Sequence, residues 1–368
     1  MEKISAFLRR KDIVFSPKRY FIDAMSAMAQ GLFCTLLVGT ILNTLGTQLH
    51  IGFLTDIIVT LGKGDGAVGY TIGGLCSAMV GPGMAVAIGQ ALNAPPMVLF
   101  SLIPVGFATN AMGGAGGPLA VLFVAIIAAE IGKAVSKETK IDILVTPIVT
   151  ILSGIGAAAL IAAPIGTAAS AVGKAIMWAT ELQPFFMGII VSVVIGIALT
   201  LPISSAAICA ALGLTGLAGG AAVAGCCAQM VGFAVMSFRE NRWGGLAAQG
   251  LGTSMLQMGN IVRNPRIWIP PTLASAITGP IATCIFRMEM NGAAVSSGMG
   301  TCGLVGQIGV YTGWLADIEA GTKAAITATD WLGLVLICFV LPAILSWLIA
   351  LPLCNWGWIG ENDLKLDL

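Results

Sequence analysis

Of 368 residues only 18 are Lys or Arg and 17 are Asp or Glu, while 57% are hydrophobic. A soluble globule of mean hydropathy +0.95 could not cover its surface, and the apolar remainder would aggregate. The net charge of +1 offers polyanions no field, so a soluble enzyme, a nucleic-acid binder and a disordered chain are excluded.

In chain order, residues 1–23 come first and are basic: Lys3, Arg9, Arg10, Lys11, Lys18 and Arg19 stand against Glu2, Asp12 and Asp23. No cleavable signal pattern precedes the apolar run that begins at Ala24, and basic flanks stay inside, so this N-terminus is expected in the cytoplasm. Charge-free runs follow at Ala24–Thr55, Gly66–Ala129, Ile143–Gly173, Leu182–Phe238, Trp243–Val262, Ile267–Phe286, Met290–Ala316 and Trp331–Gly360. Barrel strands alternate apolar and polar residues, and these runs do not. The fold expected is therefore an all-α polytopic membrane protein with about ten transmembrane helices, at roughly 20 residues per span. One membrane domain covers 24–358 and a charged tail covers 359–368. Lys133, Lys137 and Lys140 mark a second cytoplasmic loop, while Glu130 and Glu181 mark span ends.

Four stretches break the apolar pattern. Ala78–Gly89 (AMVGPGMAVAIG) breaks at Gly81-Pro82-Gly83, and Pro104–Pro118 (PVGFATNAMGGAGGP) sets Asn110 among glycines between two prolines. Leu201–Gly213 (LPISSAAICAALG) opens on Pro202 and continues with Ser204 and Ser205. Met290–Gly313 places seven glycines beside Asn291, Ser296, Ser297, Thr301 and Gln307. Irregular backbone survives at membrane depth only where protein buries it or it lines an aqueous cavity. These stretches therefore read as broken or re-entrant hairpin elements, whereas Ala24–Leu45 and Trp331–Leu353 read as plain apolar helices. A short likeness between Ile58-Val-Thr-Leu-Gly and Ile148-Val-Thr-Ile-Leu hints at an internal repeat, an arrangement that pairs broken segments in the two halves of transporters.

Within Trp243–Val262, Gln249, Thr253, Gln257 and Asn260 stand at i, i+4, i+8 and i+11, which puts them on one face of one helix. Polar groups in a membrane need partners, either neighbouring helices or a bound polar solute. Amides and hydroxyls donate and accept at once, which suits a sugar better than an ion. Glu289, with Arg287 as a local ion-pair partner, is an intramembrane carboxylate at the entrance to the glycine-rich element. Nine cysteines without a C-x-x-C pair and a single histidine, His50, supply no metal set and no nucleophile–base pair. No catalytic residue, metal or cofactor is expected.

The stretches Arg19–Gly46, Gly244–Phe286 and Ser297–Gly309 resemble signature segments of the bacterial phosphotransferase-system enzyme IIC-like membrane proteins, which include PfoR-type regulators. The blocks Thr253-Ser254-Met255-Leu256-Gln257 and Gly298-Met299-Gly300-Thr301 carry the likeness most specifically. The resemblance implies a homodimeric sugar permease of the bacterial cytoplasmic membrane. In that fold a scaffold half dimerises, and a mobile half with two re-entrant hairpins carries solute in an elevator motion. The chain departs from glucose-type relatives in lacking a Gly-Ile-Thr-Glu-type sugar motif, a functional histidine and a fused IIA or IIB domain. Phosphorylation coupling would then need separate IIA and IIB subunits. Two functions follow: a permease for a sugar or similar small polar solute, or a solute-binding membrane sensor without phosphotransferase coupling. The expected solute-binding residues are Gln249, Thr253, Ser254, Gln257, Asn260, Glu289, Asn291, Ser297, Thr301, Gln307, Ser204, Ser205 and Asn110.

Overall fold

Uncharged runs of Ala, Val, Ile and Leu can satisfy their backbone in lipid by forming helices, and helices are what they form. The computed structural model describes residues 2–62, 67–180 and 182–366; Glu181 lies outside them. Among the described residues, five helical stretches are long and apolar enough to cross a membrane: Lys18–Thr47, Pro96–Val135 (two helices joined at Gly114–Gly116), Asp142–Ala169, Gly216–Met236 and Ala328–Asn355. A sixth is added if the pair Ile72–Ala78 and Val80–Ala91, bent by 53°, is one span. The chain is an all-α membrane protein, but ten spans do not emerge, because the long uncharged runs are partly spent on short helices. Leu182–Phe238, for example, holds helices Pro184–Thr200 and Ser205–Leu212 ahead of Gly216–Met236. The polypeptide divides into two compact units, Met1–Ala168 and Ala169–Leu368.

In the first unit, α1 (Glu2–Arg10) leads into α2 (Lys18–Thr47), which is not plain: π-helical turns at Lys18–Asp23 and Phe33–Leu37 interrupt it. A small antiparallel ribbon, β1 (Val59–Leu61) with β2 (Val68–Tyr70), follows. Ile58 thus flanks a strand while Ile148 sits in a helix, so the short sequence echo has no structural counterpart. Helices α3 (Ile72–Ala78) and α4 (Val80–Ala91) break at Met79 rather than at Gly81-Pro82-Gly83, which the first turns of α4 absorb. Helices α5 (Pro96–Gly113) and α6 (Gly117–Val135) fold back on each other. The reversal passes through Gly114, whose φ of +51° lies where a Cβ is strained. Helix α7 (Asp142–Thr180) continues past Pro147 and Pro164, and the first unit ends within it, at Ala168.

Charge ties the N-terminal segment to the ends of these helices. Lys133, expected in a loop, is instead buried in the last turn of α6. Its Nζ donates to the carbonyls of Asp12 (2.7 Å) and Leu92 (2.8 Å) and pairs with Glu130 at 3.1 Å. Arg19 grips both carboxylate oxygens of Asp12 and also donates to the Leu92 carbonyl, while Tyr20 donates to Glu130. Cations at the open carbonyls that end a helix are favoured by the helix dipole, which is why α4 draws both.

The second unit is built around one buried helix. Helices α8 (Pro184–Thr200), α9 (Ser205–Leu212) and α10 (Gly216–Met236) are followed by α11 (Phe238–Ala247), α12 (Met258–Arg263), α13 (Ile269–Pro280), α14 (Val305–Glu319), α15 (Ala328–Val335) and α16 (Leu341–Asn355). Helix α10 packs against α8, α13 and α16. Its small residues permit this: a Cβ at Gly225 would overlap the Ser192 carbonyl, and one at Gly220 would overlap that of Met288. Close backbone approach through small residues is the usual basis of helix association in lipid. Between α15 and α16 a π turn, Leu336–Val340, interrupts the second stretch read as plain.

Candidate solute site

Three irregular segments gather around the middle of α10. The first, Leu201–Ser204, ends α8 and starts α9, where Ser204 caps the new helix by accepting from the Ala207 N–H at 3.2 Å. The second runs as a π turn (Ala248–Gly252), an extended Thr253 and a 3-10 turn (Ser254–Gln257) before α12 begins. Gln249, Thr253, Gln257 and Asn260 are therefore not on one helical face. Thr253, extended at φ −156°, uses its hydroxyl to accept from the Met255 N–H instead. The third segment makes 3-10 turns at Ala294–Gly298 and Cys302–Leu304, with positive φ at Gly300, Gly303 and Leu304.

Polar side chains in and beside these segments are buried, and two of them, Thr301 and Gln307, reach one turn of α10. Ser205 Oγ donates to the Gly298 carbonyl at 2.7 Å and Ser297 Oγ to that of Leu214 at 2.6 Å, stitching the first segment to the third. Thr301 Oγ1 lies 3.5 Å from Met230 Sδ, and Gln307 Nε2 lies 3.2 Å from Cys227 Sγ. Gln307 Oε1 is buried and has no hydrogen-bond partner among the described residues. On another side of the same turn, Ser254 Oγ and Thr200 Oγ1 share a 2.7 Å bond, and Thr200 donates to Gln229 Oε1. Trp268 Nε1 donates to the same oxygen at 2.9 Å, and Gln229 Nε2 donates to Thr272.

The other carboxamides form a relay. Gln249 Nε2 donates to Ser237 Oγ and the Gly245 carbonyl, Gln257 Nε2 donates to Gln249 Oε1 at 2.9 Å, and Asn260 Nδ2 donates to Gln257 Oε1 at 2.8 Å. The relay ends on backbone: Gln257 also donates to the Leu364 carbonyl and Asn260 to that of Lys365. These donors are spent on protein.

Glu289 and Asn291 stand apart from that turn. They flank a backbone bridge in which Gly216 and Met290 exchange two 3.0 Å hydrogen bonds. Asn291 Oδ1 accepts from the Gly216 N–H, and its Nδ2 donates to Asp317 and to Glu289 Oε2. Among the described residues Glu289 forms no ion pair with Arg287; its carboxylate is exposed and bonded to Asn291. Asn110 belongs to the first unit, on α5, next to Gly81 and Gly117.

Sequence reading missed Gln229, Thr200, Trp268 and Thr272. The signal was present: Gln229 is an isolated amide in the uncharged Leu182–Phe238 run, where a polar group demands a partner. It also missed Asn241 and Asn264, whose partners are remote in sequence.

Residues 22–366 match the family model described as phosphotransferase system, EIIC. The chain belongs to this family. EIIC proteins are the membrane transporter components of the phosphotransferase system and work with separate IIA and IIB components. No curated protein and no solved structure matches the chain. Membership covers nearly the whole polypeptide, both units included, so the buried hydroxyl and amide groups around α10 belong to a transporter component.

Proposed function

We propose that this EIIC protein is a permease subunit for a sugar or a similar hydroxyl-rich solute in the bacterial cytoplasmic membrane. The supporting observation is that Thr301 and Gln307 reach Met230 and Cys227 on one turn of α10, beside the buried Ser205, Ser254 and Ser297, which bond Gly298, Thr200 and Leu214. These groups are neutral, and one buried acceptor, Gln307 Oε1, is still open. A buried acceptor left unpaired costs about 1–3 kcal/mol, and a solute hydroxyl donating to it removes that cost. Neutral donors and acceptors also fit a solute that sheds its water without bringing a counter-ion.

In this reading Ser297, Thr301 and Gln307 touch the solute, and Ser254 reaches it through the Thr200–Gln229 network. Ser204 and Thr253 shape the broken backbone, and Glu289 and Asn291 close one end of the glycine-rich element. The solute crosses by an elevator-type alternation within a homodimer whose basic N-terminal segment faces the cytoplasm. Separate IIA and IIB subunits supply phosphoryl groups.

Proteoliposomes charged with a panel of labelled sugars, organic acids and nucleobases test this directly. Saturable uptake of one or more sugars, with organic acids and nucleobases excluded, is the expected outcome. Uptake confined to an anion or a nucleobase would overturn the sugar assignment, because the α10 cluster has no cation to meet the first.

A further inference from the structure

Two spanning stretches end at one cavity. Gly216–Met236 ends with α10 and Ala328–Asn355 ends with α16, and these two helices pack together. A cavity of about 1040 Å³ opens beside their last turns and is lined by Met236 and Asn355, the final residues of the two spans. It therefore sits at the depth where hydrocarbon gives way to headgroups. Trp243, Trp356 and Trp358, each next in sequence to a lining residue, are exposed, as tryptophans at a lipid interface are.

The cavity has an apolar wall and a charged one. Trp347 and Leu351 belong to the apolar wall. With Ile344 and Leu348 they recur at i, i+3, i+4 and i+7 along α16, and each of the four is at least 40% exposed. Such spacing is one face of a helix, and it continues from the cavity toward the middle of the span. A hydrocarbon chain can follow it without a break.

The charged wall carries Arg239, Glu240 and Arg242. Arg242 is exposed and forms no hydrogen bond or ion pair among the described residues. The ion pair from Arg239 to Glu361 is long, at 3.9 Å, between two largely exposed side chains, so water already weakens it. Glu240 is the opposite case. Its Oε2 is buried and has no hydrogen-bond partner among the described residues. Burial pushes this carboxyl up, although its own backbone N–H, Arg239 and the Asn362 N–H favour the ion. A buried carboxylate oxygen without a partner is costly, and a small cation with N–H groups to donate removes that cost.

We propose that this cavity binds a phospholipid with an ethanolamine headgroup, its phosphate held by Arg239 and Arg242, its ammonium by Glu240, and one acyl chain by the Ile344–Leu351 stripe. A headgroup of both signs matches a wall of both signs. A glycerol headgroup brings the phosphate but no cation for Glu240. A choline headgroup brings a cation that has methyl groups where an N–H is needed. The site is separate from the solute cluster on α10 and stands whether or not a sugar is the cargo.

The test uses the full chain in detergent with chain-matched phosphatidylethanolamine, phosphatidylglycerol and phosphatidylcholine, and native mass spectrometry counts the bound lipid. The ethanolamine lipid should bind most tightly. Arg239→Gln and Arg242→Gln should each weaken binding of all three about fivefold, the effect of one basic residue at a lipid surface. Glu240→Gln should erase the preference for the ethanolamine lipid while phosphatidylglycerol binds at least as well as before. A brominated acyl chain on the ethanolamine lipid should quench tryptophan fluorescence of the unaltered protein, and Trp347→Phe, a change on an exposed face of α16, should reduce that quenching. Equal binding of the three lipids, tighter binding of phosphatidylglycerol, or a preference that survives Glu240→Gln would overturn the proposal. So would quenching that Trp347→Phe leaves undiminished, a result that does not depend on any charge variant folding.

Discussion

The two units hold their remote segments by opposite means. In the first, ions do it: Lys133, Glu130, Arg19 and Asp12 join α6, α4 and the N-terminal segment. In the second, neutral amides and hydroxyls do it, through Gln229 at mid-α10 and through the Gln249–Gln257–Asn260 relay. The difference is energetic. A buried ion that loses its partner is left with a desolvation cost of several kcal/mol, so an ionic junction resists rearrangement. A neutral amide can exchange one acceptor for another at a cost near zero, provided a second acceptor is at hand. The second unit is thus the one whose polar contacts can be exchanged at the lower cost.

Breaking the ionic junction should have the largest effect. Lys133→Met strands Glu130 in a site where it is nine-tenths covered and should cost about 3–5 kcal/mol. Thermal unfolding in detergent would show it, and adding Glu130→Gln should restore much of the loss by removing the stranded charge.

Breaking the neutral relay should cost less. Gln257→Leu removes two donated hydrogen bonds and one accepted one and leaves Gln249 Oε1 without its donor, while the Leu364 carbonyl keeps Asn241, and the loss is worth about 1–3 kcal/mol. The same unfolding assay reads this, and hydrogen exchange of residues 359–366 should rise with it. An unchanged exchange rate would detach the relay from that segment.

The smallest of the three effects sharpens the comparison through pH. The Arg19 guanidinium, with Asn93 and the more distant Lys133 adding to it, holds the Asp12 carboxyl down from its ordinary 3.8 to about 2, against the opposing effect of burial. The fold favours the ionised form, so the stabilisation is complete above pH 4 and is lost as pH falls through about 2. Asp12→Asn should lower the melting temperature modestly at neutral pH and remove the part of its decline that lies between pH 4 and 2. Because this carboxylate is half exposed, water and salt screen much of the interaction.

The fold class was legible because charge is a coarse property: uncharged runs long enough to span can only be helices. The broken character of 201–213 and 290–304 was also legible, since Pro202, the serines and the glycine cluster forbid a regular lipid-facing helix. Finer points were not. Gly81-Pro82-Gly83 reads as a break, yet proline is welcome in a first helical turn, and the bend falls one turn earlier at Met79. The i, i+4, i+8, i+11 spacing of Gln249 to Asn260 reads as one face because spacing assumes a continuous helix, and Thr253 leaves it. That the relay ends on Leu364 and Lys365, more than a hundred residues away, is a tertiary fact that no local pattern carries. Lys133 reads as a loop lysine for the same reason: the carbonyls that bury it come from Asp12 and Leu92.

The central claim is that the buried cluster on α10 receives the solute and that its open acceptor is Gln307 Oε1. Equilibrium binding of the sugar that proteoliposomes take up, measured with wild type and Gln307→Leu alongside their melting temperatures, tests it most directly. An acceptor used by solute and not by protein predicts affinity lower by about 5- to 150-fold, the equivalent of roughly 1–3 kcal/mol, with a melting temperature unchanged or raised. Unchanged affinity, or a melting temperature that falls together with it, would contradict the assignment and return Gln307 to the packing of α10.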